Sequence, residues 1–244
     1  ILGRTVRILL ASGLGVGLDK KGLGRPVDLR PLGIGDSLRR ISLQSKGQTA
    51  ASVEMAHEFQ CGVGMQGGVD IGYAIPNRSM DSLVKADIPS SMLLTDAGNA
   101  YGSIKLDAIL EEVVKSRPEL VGFWSVCYGG NEAPWMILDD GSRIPVTALF
   151  QGCGLSPDFF ALGVRGLLRS TRTEIASLPS AHGVVPTTLA YLDDIYIITP
   201  LEAMFDSLDI LRELGPKIGL HFDNIRKNDF YVPVRFKDRF LKVS

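Results

Sequence analysis

The sequence predicts an α+β fold, an antiparallel sheet covered by helices. Three observations predict it. From about residue 91, apolar periodicity reads strand, helix, hairpin, helix, hairpin, helix, strand. Few of these links are βαβ crossovers, which argues against a parallel sheet. Two hairpins close on Asp-bearing tips, Asp139-Asp140-Gly141 and Asp193-Asp194, each between short β-prone runs. At 244 residues, 45% hydrophobic and 22% charged, the chain is globular and long enough for one large domain or two small ones.

The elements follow in order. Residues 1–36 are glycine-rich, and Gly15–Leu18 and Val27–Arg30 read as short strands around a basic Lys20–Arg25 loop. That loop suits phosphate contact but lacks the Gly-Lys-Ser/Thr of a P-loop. Asp36 reads as an N-cap, a helical stretch covers Ala50–Glu58, and Gly62–Gly68 is a loop. A weakly patterned helix follows and should end by Ile75-Pro76.

Ser91–Thr95 is a strand ending in Asp96. Leu106, Ile109, Leu110, Val113 and Val114 recur at helical spacing, and Arg117-Pro118 closes that helix. The 135–146 hairpin is next. Ser156 reads as the N-cap of a second helix with Pro157 at its first position, and Phe159, Leu162, Gly163, Gly166 and Leu167 line one face. Beyond the second hairpin, Thr199-Pro200-Leu201-Glu202 reads as a capping box. It opens a helix with Leu201, Phe205, Leu208, Leu211 and Leu214, stopping at Gly215. Phe230–Val232 is the last strand.

Ala190–Ile198 carries the chemistry. Asp is depleted in strands, so Asp193-Asp194 marks a tight turn at a sheet edge. Gly141 explains the other Asp tip through ordinary turn chemistry, and no glycine follows Asp194. Two carboxylates on a rigid hairpin suit a hard divalent cation.

Charge is uneven although the net is −1. Residues 1–50 hold nine Lys/Arg against three Asp, and residues 225–244 six against two, so the centre is strongly acidic. Basic ends around an acidic centre suit a polyanion held over a carboxylate–metal site. Cys61, Cys127 and Cys153 show neither disulfide nor zinc spacing, which fits a reducing intracellular setting, nucleus or cytoplasm. No run approaches the ~20 apolar residues of a membrane span, so no membrane partner is expected.

Four segments together resemble reverse transcriptases of non-LTR-type retroelements. Tyr191-Leu192-Asp193-Asp194 is similar to the Tyr-x-Asp-Asp box, and Asp96–Ser103 to the first-aspartate motif, usually Asp-x-x-Asn-Ala-Phe-Asn-Ser. Gln151–Pro157 is similar to Gln-Gly-Cys-Pro-Leu-Ser-Pro, and Leu29–Gly35 to the fingers Arg-Pro-Ile-Gly-Ile-Gly segment. The resemblance spans about residues 15–235. Departures are Gly98, Gly102 and Gly154, where a larger residue, Asn and Pro are usual.

The resemblance implies a polymerase palm over 91–244 and a fingers-like region over 1–90, with the thumb absent or truncated. It implies an RNA-directed DNA polymerase adding dNTPs to a DNA primer on an RNA template, with two Mg²⁺ ions, or Mn²⁺, as cofactors. Asp96 and Asp193 would be shared metal ligands, with Asp194 secondary and the carbonyl of Ala97 a further ligand. Tyr101 would exclude a 2′-hydroxyl, and Gln151 and Gly152 would lie near the nascent base pair. Arg30 with Lys20 or Lys21 would reach the triphosphate, and Lys227 or Arg226 would protonate pyrophosphate. Two alternatives remain open: a catalytically inactive relic, and a viral RNA-dependent RNA polymerase palm, against which the Tyr-Leu-Asp-Asp box and Tyr101 argue.

Overall fold

The computed structural model describes residues 12–19, 29–35, 59–129, 135–149 and 151–243. The expected Lys20–Arg25 loop, the Asp36 helix start and the Ala50–Glu58 helix lie outside them.

Eight strands form two four-stranded sheets among the described residues. The first sheet has β1 (Gly13–Asp19), β2 (Leu29–Gly35), β4 (Trp135–Ile137) and β5 (Arg143–Pro145), in the order β2-β1-β4-β5. Its β1–β4 contact is parallel. The second has β3 (Ser90–Asp96), β6 (Thr187–Tyr191), β7 (Asp194–Pro200) and β8 (Asn228–Tyr231), in the order β6-β7-β3-β8. Every pair in it is antiparallel, as expected.

Helix α5 (Ser156–Ser177) packs on both α3 (Leu106–Ser116) and α6 (Met204–Leu214), with α6 against β3 and α5 against β6. Leu93, Ile109, Phe159, Leu168, Ile197 and Leu211 are sealed between these layers. Strand alternation sends Leu93 and Thr95 into this core, whereas Met92, Leu94 and Asp96 stand on the other face. Helix α1 (Gly68–Lys85) packs on the same sheet, against β3, β6 and β7.

Several expectations need correction. Helix α1 does not stop at Pro76. Its buried residues Gly68, Gly72, Pro76 and Met80 fall four apart, a stripe that docks on the sheet. Tertiary packing therefore outweighs the missing N–H of one proline. In α3 the buried stripe is Ile109, Glu112, Val113 and Ser116, and Val114 faces solvent. Glu112 is tolerated inside because Lys115 and Arg165 approach it at 3.5 and 3.9 Å.

Ser156 is the first residue of α5, not its N-cap; Leu155 precedes the helix without a side-chain cap. The Thr199–Glu202 segment is not a capping box. β7 continues through Pro200, paired with Ser90, so Thr199 is a ladder residue and its buried hydroxyl caps nothing. Gly215 ends α6 with right-handed backbone (φ −54°) and leads into a 3₁₀ turn. Gly219 takes the left-handed position (φ 85°), where a Cβ would stand 2.2 Å from Ser103 O.

Short elements complete the chain: α2 (Ala100–Ser103), α4 (Val121–Cys127) and α7 (Lys237–Val243). The three cysteines are buried. No helix among the described residues is long and apolar enough to cross a membrane.

Candidate active site

The site grows from the register of β3 and β7. Their ladder pairs Leu94 with Tyr196, Thr95 with Ile195 and Asp96 with Asp194. Directly opposed residues project to the same side of a sheet, so the Asp96 and Asp194 carboxylates share one face at its end. β6 and β7 close on a two-residue turn, Leu192-Asp193, between the paired Tyr191 and Asp194. Leu192 adopts φ 58°, rare for a residue with a full side chain. The turn carries Asp193 to the edge where β3 delivers Asp96.

The other tip resolves as ordinary turn chemistry. Gly141 is left-handed (φ 79°), and the Asp140 carboxylate accepts the Ser142 N–H at 2.8 Å. That bonding holds the Asp140 carboxyl below the usual carboxylate range.

Electrostatics tie the candidate residues together. Partial burial pushes the Asp194 carboxyl up, the charges of Asp193 and Asp96 push it further, and Lys227 opposes them. Burial also pushes the Tyr101 phenol far up, with Asp193 and Asp158 adding to it. The Lys227 ammonium ion-pairs with Asp96 Oδ2. Asp96 Oδ1 is buried and accepts no hydrogen bond. A half-buried carboxylate with one oxygen on a cation and the other unsatisfied has the donor chemistry a divalent cation takes. No trio of His, Cys, Asp or Glu is already converged as a metal cage among the described residues.

Of the two cations at 226–227, Lys227 reaches Asp96, and exposed Arg226 uses its own N–H to bind Asn224 Oδ1 at 3.1 Å. Next to Lys227, Asn228 accepts a bond from buried Thr95 and donates to Phe222 O at 3.0 Å. Asn228 and Thr95 thereby fix the start of β8, next to the 3₁₀ turn that presents Lys227. Neither stands out in the sequence; the one signal is that Thr95 precedes Asp96 and must point to the opposite face.

Asn99 has left-handed backbone (φ 50°), which Asn tolerates better than most residues, and so turns the chain from β3 into α2. Tyr101 follows and stacks on Phe160 of α5, with centroids 4.7 Å apart and planes 16° off parallel. Ala97 is buried. Gln151 lines a cleft of about 280 Å³ with Asn99, Gly102, Met136 and Val146, and its Oε1 is buried without a partner. Gly152 is exposed at φ 99°. Two of the departures have physical readings. Gly98 has open space where a Cβ would be, whereas a Cβ at Gly102 would stand 2.4 Å from the Asn99 amide.

The structure thus gathers Asp96, Asp193, Asp194, Tyr101 and Lys227 at one end of the second sheet. Arg30 lies on β2 opposite Leu18, in the other sheet. Lys20 and Lys21 lie outside the described residues.

No protein-family model matches the chain, and no curated protein matches it in sequence. Solved structures do match. Telomerase from Candida albicans in complex with a TWJ fragment of telomeric RNA aligns with 96% of this chain at TM-score 0.62 and 10% identity. Telomerase from Candida tropicalis, in complex with the same kind of fragment, aligns with 91% at TM-score 0.60 and 16% identity. Apo telomerase from Candida tropicalis truncated from its C-terminal domain aligns with 96% at TM-score 0.59 and 14% identity. The chain spans 45%, 41% and 52% of those three chains, respectively. At such identities the likeness is one of fold: this chain has the α+β architecture found in these telomerase chains.

Proposed function

We propose that this chain is the fingers-and-palm portion of an RNA-directed DNA polymerase, which extends a DNA primer on an RNA template with dNTPs, and that it derives from a non-LTR-type retroelement. The observation that carries this is the β3–β7 register: it sets Asp96 across from Asp194, one residue from the Asp193 turn. The shared fold with telomerase, solved twice with telomeric RNA fragments, supports an RNA partner.

Asp96 and Asp193 would hold two Mg²⁺ ions, with Asp194 and the Ala97 carbonyl completing the ligand set. Such ions, when bound, neutralise phosphate charge and align the attacking and leaving oxygens. The residues supply the rest. Tyr101, braced on Phe160, presents a fixed ring that would clash with a ribose 2′-hydroxyl. Gln151 lines the cleft where the nascent base pair would sit. Lys227 holds a proton beside Asp96 and would pass it to the leaving pyrophosphate. Arg30, Lys20 and Lys21 would meet the triphosphate, Arg in the bidentate manner.

The test is primer extension on an RNA template with Mg²⁺. Wild-type chain should extend with dNTPs and not with rNTPs, and Asp193→Asn should lose at least about 100-fold of that rate. Equal extension by Asp193→Asn would refute the site. A second reading, an inactive relic, is favoured by Gly98, Gly102 and Gly154 in the motifs. A folded chain that neither extends primers nor binds Mn²⁺ would establish it.

A further inference from the structure

The turn that presents Asp193 is held in a conformation its own sequence does not favour. Leu192 sits at φ 58° with no glycine or asparagine to ease it. Backbone of this kind persists only where the surroundings over-determine it. Here one side chain from far along the chain does so. Gln60 Nε2 donates to Leu192 O at 3.0 Å, and the Leu192 N–H donates to Gln60 Oε1, also at 3.0 Å. A single planar amide therefore engages both backbone polar groups of the strained residue. Its orientation is set by its partners, oxygen toward an N–H and nitrogen toward a carbonyl. The Leu192 side chain is seated separately, against Val63 and Ala161.

The clamp is itself anchored. Gln60 is 1% exposed. Its segment lies parallel beside β6, the edge strand of the second sheet. Ala190 donates to Phe59 O at 2.6 Å, and Cys61 donates to Ala190 O at 2.9 Å. The approach is close enough to need glycine: a Cβ on Gly62 would stand 2.9 Å from Leu192 N, and one on Gly68 would stand 1.9 Å from Cys61 O. Backbone bonds alone would cover the β6 edge. A buried glutamine adds something else, because its two hydrogen bonds both go to the residue preceding Asp193. An amide also supplies donor and acceptor without a charge that would compete for a cation.

We infer that Gln60 is a positioning residue that fixes the Leu192–Asp193 turn so that Asp193 meets Asp96 in cation-binding geometry. This rests on the metal-site reading proposed above. Outer partners that orient a metal ligand commonly contribute 10–100-fold to affinity.

The test is a Mn²⁺ titration of the full chain with amide hydrogen exchange, on wild type, Asp193→Asn, Gln60→Met and Gln60→Glu. Gln60→Met, similar in length and without either hydrogen bond, should weaken Mn²⁺ binding about tenfold. It should also speed exchange at Leu192 while leaving core amides such as Leu93 protected. Gln60→Glu keeps the acceptor and should retain more Leu192 protection than Gln60→Met, with weakened Mn²⁺ binding. Wild-type Mn²⁺ affinity in folded Gln60→Met overturns the inference and leaves the site reading intact. If Gln60→Met loses Leu93 protection, Gln60→Glu decides by the same comparison. If wild type binds no Mn²⁺, or Asp193→Asn binds it equally well, the site reading itself fails and the inference falls with it.

Discussion

Asp194 faces Asp96 across the β3–β7 ladder, and that pairing has a pH signature. Partial burial and two neighbouring carboxylates raise its pKa in the fold. A carboxyl raised in the folded state favours folding when protonated, and that contribution is lost as pH rises through the folded value. Ionised Asp194 therefore destabilises the chain at neutral pH in the absence of a cation. Asp194→Asn should raise Tm at pH 7, and the gain should vanish as pH falls below the usual carboxylate range. Thermal melts of both proteins at several pH values check this; an equal gain at every pH would contradict it. At this scale, the Asp193-Asp194 tip was legible because Asp is depleted in strands and no glycine follows it, whereas Asp96 was legible from its neighbours only as the end of a strand, its role coming from the resemblance. The choice between Arg226 and Lys227 was not, because both are cations and only the turn over Ile225–Lys227 aims one of them at Asp96.

Elements depart from their sequence signals where packing outweighs local preference. Pro76 sits inside α1 because a stripe of small and apolar residues docks on the sheet. Thr199 sits in β7 because its backbone belongs to the ladder with Ser91. The contact between α3 and α5 gives a sharp test. A Cβ on Gly163 would stand 2.7 Å from Ile109 Cγ1 and 2.9 Å from Ile104 Cδ1, both fully buried side chains. Gly→Ala in a helix gains about 1 kcal/mol, whereas overpacking a sealed contact costs about 1–3 kcal/mol. Overpacking should win at Gly163, so Gly163→Ala should lower Tm by a few degrees. Three residues on, a Cβ at Gly166 meets nothing nearer than Glu112 Oε1 at 3.6 Å, so Gly166→Ala should raise Tm. Two melts by circular dichroism decide both signs.

The whole molecule joins distant parts of the chain at one edge. β3 and the β6–β7 hairpin come together although α3, α5 and the first sheet's hairpin lie between them in sequence. The acidic centre is flanked by net positive ends in the sequence. A polyanion bound by those ends should show steep salt dependence. Affinity for an RNA–DNA duplex should fall at least about tenfold between about 50 and 200 mM salt. Fluorescence anisotropy at four salt concentrations measures the slope, and a flat line would rule out phosphate-dominated binding.

The sequence by itself determined the α+β class with antiparallel hairpins, the Asp-bearing hairpin tip and the strand that ends in Asp96, but not the division into two sheets or their strand order. The first three are legible because strand alternation, turn residues and helical spacing are local, and each is written within a few neighbouring positions. Only the tertiary structure decided that Asp96 opposes Asp194, that Lys227 meets Asp96, and that Gln60 grips the turn beside Asp193. Register and long-range side-chain pairing depend on how whole elements dock. Residues 60 and 192 carry no mark of each other until the edge of β6 brings them within 3.0 Å.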